Sequence, residues 1–186
     1  MTPSRESPPG LDLERLAGWL STATGEPAGG PGAALSARLI AGGRSNLTYE
    51  ASAGTRTWIV RRPPLGHVLA TAHDMAREYR VLTALRGTAV PVPATYALCT
   101  DDTVVGAPFY VMEHVAGTPY RHRAELEALG PQRTRAICAR MVDVLAALHR
   151  IEPDAVGLRD FGRPEGFLDR QVARCRYGVP ATCCMT

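Results

Sequence analysis

Gly42-Gly43-Arg44-Ser45-Asn46 lies between two stretches of strand character. A strand, a glycine-rich turn and a second strand form one physical solution to holding phosphate groups. Glycines let the backbone approach closely, and successive N–H groups point at the anionic oxygens. Taken alone, a two-glycine turn is more often only a hairpin. This one matches neither the P-loop, which ends in Gly-Lys-Ser/Thr, nor a GxGxxG that opens a helix. The next strand carries Trp58-Ile59-Val60-Arg61, and alternation puts Ile59 and Arg61 on one face with Trp58 and Val60 on the other. A cation at Arg61 could reach α- and β-phosphates, while Arg62 reads as an exposed edge arginine. Glu78 follows on a helical stretch, where the plain alternative is a solvated carboxylate paired with a neighbouring arginine. Asp160-Phe161-Gly162 and His149-Arg150 spell pieces of protein-kinase motifs. No metal-binding Asn or catalytic base stands between them, so both are rejected as such.

The elements that would position these groups are legible from periodicity. Strands are expected over 35–41, 47–53, 57–61, 94–99 and 108–115, with the second and third turning near Ala53-Gly54. Pro63-Pro64 ends the third strand, because proline cannot donate to the ladder. Helices are expected over 70–85, 131–149 and 167–174, the second of these opening on Pro131. A shorter helix over 11–23 has Asp12 near its start and Leu13, Leu16, Ala17 and Leu20 on one face. Residues 25–32 (GEPAGGPG) read as a linker after which the folded body begins.

The 186 residues are 45% hydrophobic and 21% charged, which fits a chain that folds around a core. Net charge is +3 with mixed signs, giving no basic stripe for nucleic acid and no polybasic run for a membrane. All 21 basic residues are Arg, which excludes any mechanism that needs a lysine. No apolar run is long enough to span a membrane and no signal-peptide core opens the chain, so a cytoplasmic protein is the default expectation. Of the five cysteines, Cys99 and Cys138 sit in hydrophobic contexts and read as buried thiols. Neither CxxC pairs nor suitable His spacing supports a metal site.

The order of glycine turn, strand cation, helix glutamate and Tyr110-Val111-Met112-Glu113-His114-Val115 resembles a kinase N-terminal lobe. The runs GGRSNLTY (42–49), VRRPP (60–64), GHVLATAHDMAREYRVLTAL (66–85) and LAALHRI (145–151) are similar to the aminoglycoside-phosphotransferase family. They most resemble the branch whose domain is often appended to acyl-CoA dehydrogenases, and the similarity covers about 35–174. It implies an α+β fold: a protein-kinase-like N-terminal lobe, with a five-stranded antiparallel sheet plus a helix, followed by an incomplete helical C-terminal lobe. The implied segments are a tail, short helix and linker over 1–34, the N-terminal lobe over 35–115, the start of the helical lobe over 116–174, and an aberrant tail over 175–186. By the same resemblance Gly43, Ser45 and Asn46 line a phosphate loop. Arg61 stands where kinases carry lysine, and Glu78 is its ion-pair partner. Glu113 and Val115 offer main-chain hydrogen bonds to an adenine edge, with Met112 behind them. ATP is the implied nucleotide and Mg2+ the implied metal.

The resemblance also implies a catalytic loop, approximately His-Gly-Asp followed by Asn, then a later metal-binding Asp, and neither run occurs in these residues. The chain therefore reads as the ATP-binding half of a small-molecule phosphotransferase, inactive alone, with no catalytic or metal residues of its own. Its alternatives are a non-catalytic nucleotide-binding module and a non-functional fragment. A small-molecule acceptor would require the remaining lobe. The cysteine-rich stretch from Cys175 lacks helical period and family likeness, and a frameshift or natural divergence would each account for it.

Overall fold

A computed structural model describes residues 7–25, 34–40, 46–66, 74–163 and 165–177. The chain divides into two compact units, 1–150 and 151–186.

The first unit is organised by alternation in its strands. β1 (Ser36–Leu39), β2 (Leu47–Ala53), β3 (Arg56–Arg62), β4 (Thr95–Cys99) and β5 (Phe109–Glu113) form one antiparallel sheet in the order β1-β2-β3-β5-β4. The β2–β3 hairpin turns where expected, on Gly54 at φ 61°. A two-residue loop with positive φ at its first position selects glycine there. The five-stranded sheet and its helix bear out the expected lobe.

The two faces of the sheet carry different chemistry. Tyr49, Ala51, Trp58, Val60, Phe109 and Val111 are buried together on one face. On the other face the register aligns Thr48, Arg61 and Tyr110 in one cross-strand row, and Glu50, Ile59 and Met112 in the next. The helix α2 (Met75–Leu85) packs on β4 and β5, starting at Asp74, whose carboxylate accepts the Arg77 amide hydrogen at 2.9 Å. Residues 67–73, which cover the first part of the expected helix, lie outside the described residues.

The opposite face is covered by α1 (Leu13–Thr24), contrary to the expectation that the folded body begins after the glycine-rich linker. Leu16 and Leu20 are fully buried in the main core, and the Trp19 ring meets Phe109 edge-on at 4.7 Å. A helix with one apolar stripe has to bury it somewhere, and this one does so against the sheet. The segment before it is tied down by Arg62, a second correction. Arg62 is not an exposed edge residue: it is 5% exposed, and Nη1 donates to the Gly10 and Val105 carbonyls at 2.5 and 2.7 Å. Its Nε donates to the Pro63 carbonyl at 3.1 Å, and the Tyr49 hydroxyl donates to the Pro9 carbonyl at 2.6 Å. Burial pushes the Tyr49 phenol up and the Arg62 guanidinium down, each effect partly offset by the other group.

Gly10 is the tight point of this arrangement. It sits at φ +83°, and an added Cβ would lie 2.7 Å from Leu65 Cδ2, 3.0 Å from Arg62 Nη1 and 3.1 Å from the Tyr49 hydroxyl. Leu65 is exposed and can move, whereas the other two groups are held by hydrogen bonds. Gly10→Ala is therefore expected to cost about 1–3 kcal/mol, combining left-handed backbone strain with loosened clamp bonds. Urea unfolding of the two proteins checks this, and an unchanged midpoint would contradict it.

After β5 come α3 (Arg123–Glu127), which periodicity did not reveal, and α4 (Pro131–His149), which begins and ends where the sequence indicates. None of the 19 residues of α4 is buried, and Met141, Val142, Leu145 and Leu148 are exposed. Cys138 is exposed on the same helix, contrary to expectation, whereas Cys99 is buried on β4 as expected. The second unit contains a 3-10 turn (Pro153–Val156) and α5 (Phe167–Tyr177), whose backbone continues two residues past Cys175.

Candidate functional site

Where α2 crosses the polar face of the sheet, three side chains converge on one carboxylate. Glu78 is in the first turn of α2, a position fixed by the Asp74 cap and by the helix packing on β5. Its Oε2 accepts from Arg61 Nε at 2.8 Å and from the Tyr110 hydroxyl at 3.1 Å, and its Oε1 accepts from Asn46 Nδ2 at 2.7 Å. Arg61 also donates from Nη1 to Thr48 Oγ1 at 3.2 Å. Its Nη2 has no partner among the described residues.

Each strand contributes because of its register. Arg61 on β3 lies between Thr48 of β2 and Tyr110 of β5 in adjacent pairings, so one cross-strand row supplies the cation and two hydroxyls. Asn46 precedes β2, is 5% exposed, and is the one member of the expected phosphate loop inside the described residues. Gly43 and Ser45 lie outside them. The side chains of Arg61 and Glu78 are 32% and 35% exposed, so their charges are partly desolvated yet remain open to a ligand. Burial first, and the Glu78 charge second, push the Tyr110 phenol well above its ordinary range. At neutral pH that hydroxyl is a donor only to the carboxylate.

A second polar cluster shares this face. Arg38 on β1 grips Glu50 with Nε at 3.0 Å and Nη2 at 2.6 Å, and His114 Nε2 lies 3.4 Å from Glu50 Oε2.

The remaining expected site residues sit at the end of β5. Met112 is half-buried opposite Ile59. Glu113 makes a reciprocal clamp with Ala94: its amide donates to the Ala94 carbonyl at 2.8 Å, and its carboxylate accepts the Ala94 amide hydrogen at 3.0 Å. Any main-chain bond that Glu113 offers to a ligand therefore has to come from its carbonyl. Val115 is 62% exposed in the extended segment that follows. Thus the structure joins Asn46, Arg61 and Glu78 in one cluster and sets Met112 and Glu113 at the end of β5 with Val115 just beyond it. Thr48 and Tyr110 were missed as site residues. The available signal was strand alternation, which puts Thr48 two residues from Glu50 and Tyr110 two residues from Met112 on the same face.

Chemically, the cluster is a permanent cation braced by a carboxylate, with an amide and a phenol hydrogen-bonded to the same carboxylate. Among the described residues no group of three or more His, Cys, Asp or Glu could hold a metal ion.

A five-stranded antiparallel sheet with an arginine–glutamate pair between its third strand and α2 defines a kinase-like N-terminal lobe. The sequence model of the phosphotransferase enzyme family matches residues 36–182, and the chain belongs to that family. A crystal structure of a protein assigned as an aminoglycoside phosphotransferase from Ralstonia eutropha superimposes with a TM-score of 0.69 at 34% identity, covering 88% of this chain and 45% of that one. Acyl-CoA dehydrogenase family member 11 of Gallus gallus is 38% identical over 143 residues, 77% of this chain and 18% of that protein. Family member 10 of Mus musculus is 38% identical over 130 residues, 70% of this chain and 12% of that protein. The chain thus spans less than a fifth of these two relatives. Among the described residues no helix is long and apolar enough to cross a membrane.

Proposed function

We propose that this chain is the ATP-binding half of a small-molecule phosphotransferase, working in the cytoplasm, and that the 186 residues alone bind ATP without transferring phosphate. The observation that carries this reading is the convergence of Asn46, Arg61 and Tyr110 on Glu78. Arg61 replaces the usual lysine with a planar fork, whose Nε donates to Glu78 and whose Nη1 donates to Thr48. Its remaining Nη2 neutralises an α- or β-phosphate oxygen, with Gly43, Ser45 and the Asn46 main chain lining the same site while the Asn46 side chain holds Glu78. Further along β5, the Glu113 carbonyl and the Val115 main chain meet the adenine edge, with Met112 behind them.

Transfer itself needs a positioned nucleophile and a held metal. In this reading Mg2+ would come with the nucleotide's phosphates. Arg61 cannot act as the base, since a guanidinium is permanently charged. The acceptor, a hydroxyl-bearing small molecule, would be selected by further polypeptide. The exposed Met141, Val142, Leu145 and Leu148 of α4 support the same view.

The test is an ATP-consumption assay with magnesium across amino-sugar, choline-like and hydroxyacyl-CoA acceptors. We expect saturable ATP binding and no turnover. Turnover that disappears in Asp154→Asn or Asp160→Asn would show that the chain holds a catalytic centre after all.

A further inference from the structure

We infer that Tyr110 is a positioning residue for phosphate binding: its hydroxyl, held on Glu78 beside Arg61, keeps the guanidinium available to the nucleotide. This inference rests on the ATP-binding reading above.

Three observations carry it. First, Tyr110 and Arg61 are directly opposed across β3 and β5, so both side chains leave the sheet on the same face. Second, both donate to the same atom, Glu78 Oε2, Arg61 Nε at 2.8 Å and the phenol at 3.1 Å. Third, Tyr110 is 2% exposed, and its ring meets Tyr79 of α2 edge-on at 6.2 Å, so the hydroxyl is fixed between sheet and helix. The raised phenol range means the proton stays on Tyr110.

The consequence follows from charge. A carboxylate oxygen shared between a neutral donor and a cation holds the cation less tightly than one bonded to the cation alone. Without the hydroxyl, Oε2 would rely on Arg61 only. The guanidinium would then be drawn further onto Glu78, and an incoming phosphate would have to compete for it. The loss of a donor also frees the carboxylate to turn about its last torsion, loosening the Asn46 contact on Oε1.

Tyr110→Phe removes one oxygen and keeps the ring packing. Binding of ATP and of adenosine is measured by competition against a fluorescent ATP analogue, alongside the melting temperature. The expected result is a five- to tenfold loss of ATP affinity, with adenosine affinity changed by less than twofold, because adenosine has no phosphate for Arg61 to hold. Equal losses for ATP and adenosine would show a packing role and overturn the inference. Unchanged ATP affinity would overturn it too. If the unmodified chain bound adenosine and ATP equally well, or bound neither, the phosphate-site reading would fail first and take this inference with it.

Discussion

Arg61→Ala should lower the affinity of the chain for ATP by roughly thirty- to hundredfold, the largest functional effect expected of any single change. A charge-assisted contact of this kind contributes about 2–3 kcal/mol, and every 1.4 kcal/mol is about tenfold in affinity. The substitution also leaves Glu78 without its cation, so a bare carboxylate would face the incoming phosphates. Arg62→Ala is the informative contrast. Its guanidinium serves the opposite face, holding the Gly10, Val105 and Pro63 carbonyls, so its loss should fall on stability more than on binding. Isothermal titration of both variants with ATP, paired with urea unfolding, separates the two effects. Equal losses of affinity at constant stability would contradict the assignment of the two arginines to different faces.

The largest effect on stability is expected from α1. Leu16→Ala or Leu20→Ala should each cost about 3 kcal/mol, as buried leucines do when the cavity only partly collapses. For a domain of this size that corresponds to a fall in melting temperature of roughly 6–12 °C. Both side chains are fully buried and lie one helical turn apart, so they share neighbours and the double variant need not be additive. Removing residues 1–24 altogether should expose the sheet face around Tyr49, Trp58 and Phe109 and drive aggregation. A chain lacking those residues that melted like the complete one would show α1 to be peripheral.

How far the sequence foretold the structure differs from element to element, for physical reasons. Alternation is plain in β2, which buries Tyr49, Ala51 and Ala53 and leaves the residues between them half-buried, whereas β3 and β5 each bury three residues in a row. Proline at its first position marked α4 to the residue. The docking of α1 was hidden by the glycine- and proline-rich stretch after it. Such a stretch breaks secondary structure, but it does not prevent the helix before it from folding back onto the sheet. The stripe of Leu13, Leu16, Ala17 and Leu20 was visible, and its partner was not. Arg61 and Arg62 posed a harder problem. Neighbouring strand residues must face opposite ways, yet nothing local says which face a strapped N-terminal segment will cover. The carbonyls that accept from Arg62 Nη1 come from residues 52 and 43 positions away.

Within the site, Arg61 and Glu78 could be singled out because a cation and an acid fell one strand and one helix after a glycine turn. For Tyr110 alternation gave only the face, shared with Met112, since its role depends on a pairing between β3 and β5 that skips β4 in the sheet order. Glu113 shows the limit of carrying a motif across by position. Its place at the end of β5 was foreseen, but the commitment of its amide to Ala94 depends on how the segment before β4 approaches. Cys138 was misjudged because hydrophobic neighbours in sequence signal burial only when something covers the helix.

The central claim is that the Arg61–Glu78 cluster is a nucleotide phosphate site, and a direct ATP titration of the folded 186-residue chain tests it. With folding confirmed by circular dichroism and monomeric state by light scattering, the account predicts saturable 1:1 binding of ATP that Arg61→Ala abolishes or weakens at least thirtyfold. A folded monomer that shows no saturable ATP binding, or one whose binding is indifferent to Arg61, would contradict it.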